Sequence, residues 1–255
     1  MLDLTMEQRT FRITVAYDGT AYEGWQLQPA RATIQGSIEA ALGAITGGRV
    51  VVVGASRTDS GVHARGQVAS FSWAATLEPA RIPAAINSRL PADIRVLDCI
   101  ESPRFDARRD CLRKSYTYTV NTRRIADPFA LRFAAHTPAR LDETLLAQAA
   151  GCLHGDLDQS AFTLAETLRT LGSRGGTRTV SSAEWAFRGS MAVFTITADG
   201  FLRHSIRTMV GAMIEVGRRR LSLEDLRRAI GTGKRSMLRA PTMPAKGLCL
   251  ENVEY

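Results

Sequence analysis

The pattern of hydrophobic and polar positions predicts a chain of mixed strands and helices. Segments with the alternation and residue types typical of strands are FRITVAYDG, GQVASFSW, IRVLDCIE, KSYTYTV, TVSSAEWAF, SMAVFTITADG and GLCLENVEY. The apolar run RVVVVGAS predicts a further, buried strand. LGSRGGTRT, rich in glycine and arginine, predicts a loop.

Apolar residues at helical spacing predict the helices. In TIQGSIEAALGAIT, the residues Ile34, Ile38, Leu42 and Ile45 recur at that spacing, and Thr33 is a predicted N-cap. IPAAINSRL, LDETLLAQAAGCL and SLEDLRRAIGTG predict three more helices.

The strongest helical pattern runs from Phe201 to Val216. Its core stripe is predicted to comprise Leu202, Ile206, Met209, Met213 and Val216. Arg203 and Arg207 lie four residues apart on a neighbouring face of this predicted helix. We therefore expect both arginines to face a cleft beside the sheet, although solvent-exposed arginines would give the same pattern.

These elements lack the regular strand–helix alternation of a parallel sheet, so the predicted class is α+β, an α/β sandwich. The charged stretch Arg104–Arg113 is a predicted junction. We therefore expect an N-terminal α/β domain over 8–108 and a C-terminal α/β domain over 109–255. Their similar content is consistent with a duplicated sandwich.

The net charge and the cysteine content restrict the classes of partner and the cellular compartment that the sequence predicts. The net charge of +8 and the pI near 9.8 favour a polyanion, either nucleic acid or an anionic membrane surface. No apolar run reaches the ~20 residues that span a bilayer, and MLDLTMEQRT lacks the order of a secretory signal. Four scattered cysteines without a C-x-x-C pair argue against zinc and against a disulfide framework, and predict reduced thiols in a cytoplasmic protein.

The last quarter of the chain is basic and suits a phosphate backbone, although such runs are usually solvated surface. Its cationic positions are Arg218–Arg220, Arg227, Arg228, Lys234, Arg235 and Arg239.

The segment GASRTDSGVHARGQV contains the candidate catalytic residues. It contains no phosphate-binding glycine motif, and His63 with Asp59 does not complete a metal-ligand set. If the chain is extended, Arg57 and Asp59 project to one face, where the arginine favours an ionised carboxylate that can act as nucleophile or base. The alternative is a surface turn with an exposed ion pair.

The same stretch closely resembles the motif loop of the tRNA pseudouridine synthase A family. YDGTAYEGWQLQ, KSYTYTV, GFLRHSIRTMVGAMIEVG and KGLCLENVEY resemble further blocks of that family, in order, so the resemblance spans Phe11 to Tyr255. Two segments depart from it: GDLDQSAF lacks the expected histidine before Asp158, and AETLRTLGSRGGTRT is unlike the usual sequence. We therefore assign no substrate contact to that region.

The resemblance implies the site residues. It makes Asp59 the catalytic aspartate and Arg57 its paired arginine. It also implies that five residues bind the substrate, namely Arg57 itself, Tyr116, Arg203, Arg207 and Leu248. From the residues alone, a tyrosine or leucine at such positions is equally consistent with core. His63 is assigned no acid or base role, and we expect it to support the loop or to contact RNA.

The resemblance further implies two ferredoxin-like halves with mixed, mostly antiparallel sheets that form a central cleft. The implied activity is isomerisation of uridine to pseudouridine at positions 38, 39 and 40 of the tRNA anticodon stem-loop, with base flipping and with no cofactor or metal. The implied partner is tRNA, bound by a homodimer in which one tRNA touches both subunits, away from any membrane.

Two other classes stay open. A non-catalytic RNA-binding protein would not need Asp59, Arg57 and Tyr116 together. A glycosidic-bond hydrolase normally uses two carboxylates, whereas Asp59 is the one carboxylate of RTDSGVHARG.

Overall fold

A computed structural model describes residues 8–74 and 76–255 of the chain. Residues 1–7, which contain most of the segment inspected for a secretory signal, lie outside the described residues. Within the described ranges no helix combines the length and apolar character that crossing a bilayer requires. The structure divides into two compact units, one reaching to Leu112 and including Leu250–Tyr255, the other comprising Arg113–Cys249.

Unit 1 is built on an antiparallel sheet. Its strands are β1 (Arg9–Tyr17), β2 (Val53–Gly54), β3 (His63–Trp73), β4 (Ile94–Glu101) and, from residue 250 onward, the chain's last strand β10 (Leu248–Glu254). The order is β4-β1-β3-β10, and the short β2 also pairs with β3. Both β3 and β4 run antiparallel to β1.

Two helices connect these strands. Helix α1 (Ile34–Thr46) begins where the Thr33 hydroxyl accepts a hydrogen bond from the Gly36 amide (3.2 Å), as predicted for an N-cap, and ends at Gly47 with φ of 71°. Helix α2 (Ile82–Asn87) precedes β4. With β2 beside β3, the order β4-β1-β3-β2 and the succession β-α-β-β-α-β give a ferredoxin-like arrangement.

Unit 2 is also built on β-strands. Its strands are β5 (Arg113–Asn121), β6 (Ala135–His136), β7 (Gly155–Asp158), β8 (Thr177–Arg188) and β9 (Met191–Ala198). The order is β5-β9-β8-β7 with antiparallel neighbours, and β6 adds to β5 in parallel. Its helices are α3 (Glu143–Gly151), α4 (Ala165–Arg169), α5 (Ser205–Gly217) and α6 (Leu223–Thr232).

The predicted α+β class is confirmed, with mostly antiparallel strand pairs. The core stripe predicted for the long helix is confirmed for Ile206, Met209, Met213 and Val216, and Leu202, which precedes α5, is also buried.

Two element predictions were wrong in extent. RVVVVGAS forms only the two-residue β2, because Val51 is 55% exposed and only Val53 and Gly54 pair with β3. The long helix begins at Ser205 rather than Phe201, since His204 has a left-handed backbone with φ of 63°.

The boundary between the units lies after Leu112, four residues beyond the predicted boundary, and the last six residues of the chain belong to unit 1. Three contacts explain why the C-terminal residues belong to unit 1. The Leu112 amide donates to the Glu254 carbonyl (2.8 Å), and the Tyr255 hydroxyl donates to the Ala107 carbonyl (2.8 Å). The Arg12 guanidinium lies 4.7 Å from the centroid of the Tyr255 ring.

Candidate active site

The Asp59 loop, residues 55–62, joins β2 to β3 and is anchored at its start. The Ala55 amide donates to the Val68 carbonyl (2.8 Å). The fully buried side chain of Gln67 then holds both backbone groups of Ser56, donating to its carbonyl (2.7 Å) and accepting from its amide (3.2 Å). The loop therefore leaves the sheet with its first residues fixed.

The backbone is held on both sides of Asp59. The Thr58 carbonyl accepts from the Trp25 amide (3.1 Å), and the Thr58 hydroxyl lies 2.8 Å from the Tyr17 hydroxyl. The Val62 amide donates to the Asp59 carbonyl (3.1 Å), which closes a turn. Main-chain bonds thus position Asp59, whose side chain is partly buried.

Two glycines let the segment after β1 lie directly against this loop. A Cβ at Gly24, where φ is +88°, would lie 2.5 Å from the Thr58 carbonyl oxygen. A Cβ at Gly19 would lie 2.0 Å from the Val62 carbonyl oxygen. This packing gives the YDGTAYEGW block a physical role, because side chains at these two positions would displace the loop.

The expected Arg57–Asp59 ion pair does not form. Arg57 is exposed and makes no ion pair with any of the described residues. The prediction was wrong because it assumed an extended chain, whereas these two residues occupy an irregular loop outside the strands.

His63 supports the turn beneath the loop. Its ring is 5% exposed, and its Nδ1 lies 3.1 Å from the Gly19 amide and 3.0 Å from an Asp18 carboxylate oxygen. An unprotonated Nδ1 accepts from Gly19, whereas a protonated one donates to Asp18. With Nδ1 protonated or not, His63 is bonded to the same turn. This supports the expectation that His63 stabilises the loop.

In unit 2, Arg207 is part of α5 and is bonded through both side chain and backbone. Its Nε donates to the Met243 carbonyl (2.7 Å), and the Met243 amide donates back to the Arg207 carbonyl (3.1 Å). Arg203 is exposed and precedes α5, so the expectation that the two arginines share a helix face was wrong. The Arg203 carbonyl accepts from the Thr163 hydroxyl (2.7 Å).

The two tyrosines of β5 are both buried, but their contacts differ. Tyr116 packs edge-on against Phe201, with ring centroids 5.3 Å apart. The Tyr118 hydroxyl donates to the Pro244 carbonyl (2.7 Å), as expected for a core tyrosine. Burial raises the pKa of Tyr118, and the positive charge of Arg207 opposes this rise. Leu248, at the start of β10, is also buried.

The basic quarter is only partly an exposed cationic surface. Arg218 pairs with Glu215, and Arg219 pairs with Asp142. Arg235 donates to neutral oxygens of the protein. The exposed cations that make no ion pair with the described residues are Arg227, Lys234 and Arg239.

Sequence reasoning missed three supporting positions: Gly24, Phe201 and Arg235. The sequence did contain a signal for Gly24, because this glycine lies between two aromatic residues in one of the blocks that resemble the family. The other two become visible only through tertiary contacts. Among residues 8–74 and 76–255 no group of three His, Cys, Asp or Glu side chains is placed to hold a metal ion.

A basic α+β chain with a carboxylate on a rigid loop fits the class of enzymes that modify nucleic acid. A family model described as tRNA pseudouridine synthase matches residues 13–109 and 149–255. The chain is 45% identical to tRNA pseudouridine synthase A of Moorella thermoacetica over 249 residues, covering 96% of this chain and 98% of that protein. It is 39% identical to the protein of the same name from Pelodictyon phaeoclathratiforme, covering 97% and 100%. The chain therefore belongs to the tRNA pseudouridine synthase family, a family of isomerases.

One solved structure is a far weaker match. A chain in the crystal structure of the archaeal box H/ACA sRNP Nop10-Cbf5 complex aligns with a TM-score of 0.35 and 13% identity, covering 92% of this chain and 58% of that one. Similarity this low does not define the fold.

Proposed function

We propose that this tRNA pseudouridine synthase acts on uridines 38, 39 and 40 of the anticodon stem-loop and that Asp59 is its catalytic residue. The observation that carries the proposal is the Asp59 loop, in which main-chain bonds fix the residues around a partly buried carboxylate. A backbone fixed in this way would present the Asp59 side chain to a substrate in one position.

The reaction breaks the bond between N1 of the uracil and C1′ of the ribose, turns the uracil and joins its C5 to C1′, while C5 loses its proton and N1 gains one. In one route Asp59 attacks C1′ and is later displaced by the carbon of the uracil. In the other it removes a proton from the ribose and returns it later. Neither route needs a net oxidant or reductant, so the proposal includes no cofactor and no metal.

Base flipping is part of the proposal, because a stacked base cannot reach a side chain held on a protein loop. Extruding a nucleotide costs a few kcal/mol, which phosphate contacts would offset. We assign such contacts to Arg57 and Arg203, which are both exposed.

Three further residues are proposed to bind the target nucleotide. Arg207 would donate to it, while Leu248 and Tyr116 would form the apolar wall that retains the detached uracil. Tyr116 is 5% exposed and packs on Phe201, so we propose that it meets the base at its ring edge rather than by open stacking.

The test compares the wild type with Asp59→Asn on unmodified tRNA, with pseudouridine and free uracil both measured. We expect pseudouridine from the wild type and a loss of at least about a thousandfold in the variant, which corresponds to about 4 kcal/mol of transition-state stabilisation. Asp98→Asn is a matched control, since Asp98 is exposed on β4 and should keep the wild-type rate.

Each remaining outcome points to one of the alternatives. Free uracil from the wild type would indicate a hydrolase, and tRNA binding without product would indicate a binding protein. To test the positions, tRNAs carrying a single uridine at 38, 39 or 40 are compared. Modification elsewhere only would overturn the assignment of substrate.

We also propose that the protein works in the cytoplasm, where it meets tRNA, and as a homodimer with one tRNA touching both subunits. Exposed apolar side chains support a protein interface, since Phe129 is 93% exposed and Ile125 is 72% exposed. Analytical ultracentrifugation should show a dimer that Phe129→Asp weakens. A monomer at micromolar concentration would contradict this.

A further inference from the structure

Residues 241–243, called here the strap, lie directly on α5. The Met243 backbone exchanges two hydrogen bonds with Arg207, and the Thr242 hydroxyl lies 3.2 Å from the Thr208 hydroxyl. At Gly211, one turn further on, a Cβ would lie 2.0 Å from the Pro241 carbonyl oxygen. The strap therefore touches the same stretch of α5 that carries Arg207.

Arg235 fastens the strap to the helix. One of its terminal nitrogens donates to the Thr208 hydroxyl (3.0 Å) and to the Phe162 carbonyl (3.4 Å), and the other donates to the Thr242 hydroxyl (2.8 Å). The single guanidinium thus joins α5, the strap and the turn that ends at Phe162. Thr208 is fully buried and Arg235 is half-buried.

This geometry differs from that of an arginine that serves a phosphate backbone. All three acceptors of Arg235 are neutral oxygens, and Arg235 makes no ion pair with the described residues. Both of its terminal nitrogens donate to acceptors within the protein, whereas an arginine that binds a phosphate directs these nitrogens toward the solvent side.

The orientation of the Arg207 guanidinium depends on the strap. Its Nε donates to the Met243 carbonyl, and because a guanidinium is planar, that bond restricts the directions of its other N–H groups. A shift of the strap would therefore weaken this restraint on the Arg207 guanidinium.

We propose that Arg235 is a positioning residue: it clamps the strap to α5 and so fixes the Arg207 guanidinium for the reaction. This inference rests on the proposed role of Arg207 at the target nucleotide. An error of about 1 Å in a positioned group can cost about a hundredfold in rate, so the effect should appear in turnover and not in tRNA affinity.

The experiment measures single-turnover rate at saturating tRNA, and tRNA affinity, for Arg235→Lys, Arg235→Met and Thr242→Val. We expect the rate to fall about tenfold to a hundredfold for Arg235→Met, with affinity within about twofold. Arg235→Lys, which keeps one cationic donor, should fall less. Thr242→Val removes one acceptor at nearly constant volume and covers the case in which Arg235→Met does not fold.

Arg227→Ala is the matched comparison, because Arg227 is an exposed arginine of the same basic quarter. Weaker binding with a smaller salt dependence and an unchanged saturated rate is the result expected of any variant that loses only a phosphate contact. If Arg235→Met behaves in that way instead, Arg235 is a phosphate contact and the inference is overturned.

Two further measurements test how Arg235 acts. The double variant Arg235→Met/Thr242→Val should be no slower than the slower single variant, because both break one clamp. Hydrogen exchange at the Met243 amide, which bonds to Arg207, should speed up in each variant. Unchanged exchange together with an unchanged rate would refute the clamp.

The failure of this inference can be told apart from that of the proposed function. If Asp59→Asn is inactive and Arg207→Ala is slow, but the Arg235 variants keep the wild-type rate, only the positioning role fails. If Arg207→Ala itself keeps the wild-type rate, Arg207 has no role that requires positioning and both assignments fall. If the wild type makes no pseudouridine, the proposed function fails first.

Discussion

The Asp59 loop and the strap on α5 are fixed by opposite means. In the loop, hydrogen bonds on the main chain of Ala55, Ser56 and Thr58 do most of the holding. On α5, the side chains of Arg207 and Arg235 bind the strap. The loop is therefore held through its own backbone groups, two of which bond to the Gln67 side chain, whereas the strap is held mainly by two arginine side chains.

This difference decides how each region should respond to substitution. A loop held by its main chain can present a side chain for chemistry, and it is most sensitive to changes in the glycines that lie against it. A strap held by side chains is sensitive to those side chains, which then combine a structural with a functional role. Substitutions in each region distinguish these two ways of holding a segment, and the largest effect is expected at Gly24.

Gly24→Ala should cause the largest loss of stability. The residue has φ of +88°, and a Cβ there would lie 2.5 Å from the Thr58 carbonyl oxygen and 3.0 Å from the Asp59 carbonyl carbon. Strain and displacement together should reduce the free energy of unfolding by about 3 kcal/mol, as measured by urea denaturation. The rate should fall as well, because the displaced atoms belong to the Asp59 loop.

Gly48→Ala is the control for that change, since a Cβ at Gly48 would meet no atom within 4 Å. Its effect should stay within about 0.5 kcal/mol. A Gly24→Ala variant as stable as the control would show that the loop does not depend on close backbone contact.

Gln67→Leu should give the second largest effect. The variant keeps the volume of the buried side chain but leaves the amide and carbonyl of Ser56 without their partners. Leaving buried polar groups unsatisfied costs about 1–3 kcal/mol, so thermal unfolding should show a clear loss. Gln148→Leu, at an exposed position of α3, should change little. Equal stability of the two variants would remove Gln67 as the anchor of the loop.

The elements of the fold were largely predictable from local pattern. The strand at β4 and the helix at α1 follow from apolar spacing and from one capping threonine, Thr33, and neither needs tertiary information. The start of α5 was not predictable, because the apolar spacing continues through Phe201 and Leu202 while the backbone of His204 turns left-handed. Periodicity reports the face on which residues lie, not the residue at which a helix begins.

The contacts around the proposed site residues were not predictable from the sequence. The motif located Asp59, yet the expected partner Arg57 is exposed and makes no ion pair with the described residues. For Arg235 the error is the opposite one, because a contact was present where none was predicted. A run of cations predicts an exposed surface, whereas this guanidinium donates to Thr208 and Thr242. Charge patterns do not reveal which neutral oxygens the fold brings within reach.

Tyr118→Phe should give the smallest of these effects and should add a pH dependence to the comparison. The Tyr118 hydroxyl donates to the carbonyl of Pro244, which directly follows the strap, so its loss should cost about 1 kcal/mol. Burial raises the pKa of Tyr118 above its ordinary value of 10.0. Its contribution to stability is therefore complete below pH 10 and is lost progressively as the pH rises from 10 towards the pKa of the folded state.

The stability advantage of the wild type over Tyr118→Phe should accordingly stay constant from pH 7 to about pH 10 and then shrink. Each pH unit can remove at most about 1.4 kcal/mol, so the advantage should vanish within about one unit. Other buried tyrosines titrate in both proteins and cancel in the difference. A constant difference up to pH 11, measured by urea denaturation, would mean that the Tyr118 hydroxyl is as accessible to solvent in the folded protein as in the unfolded chain.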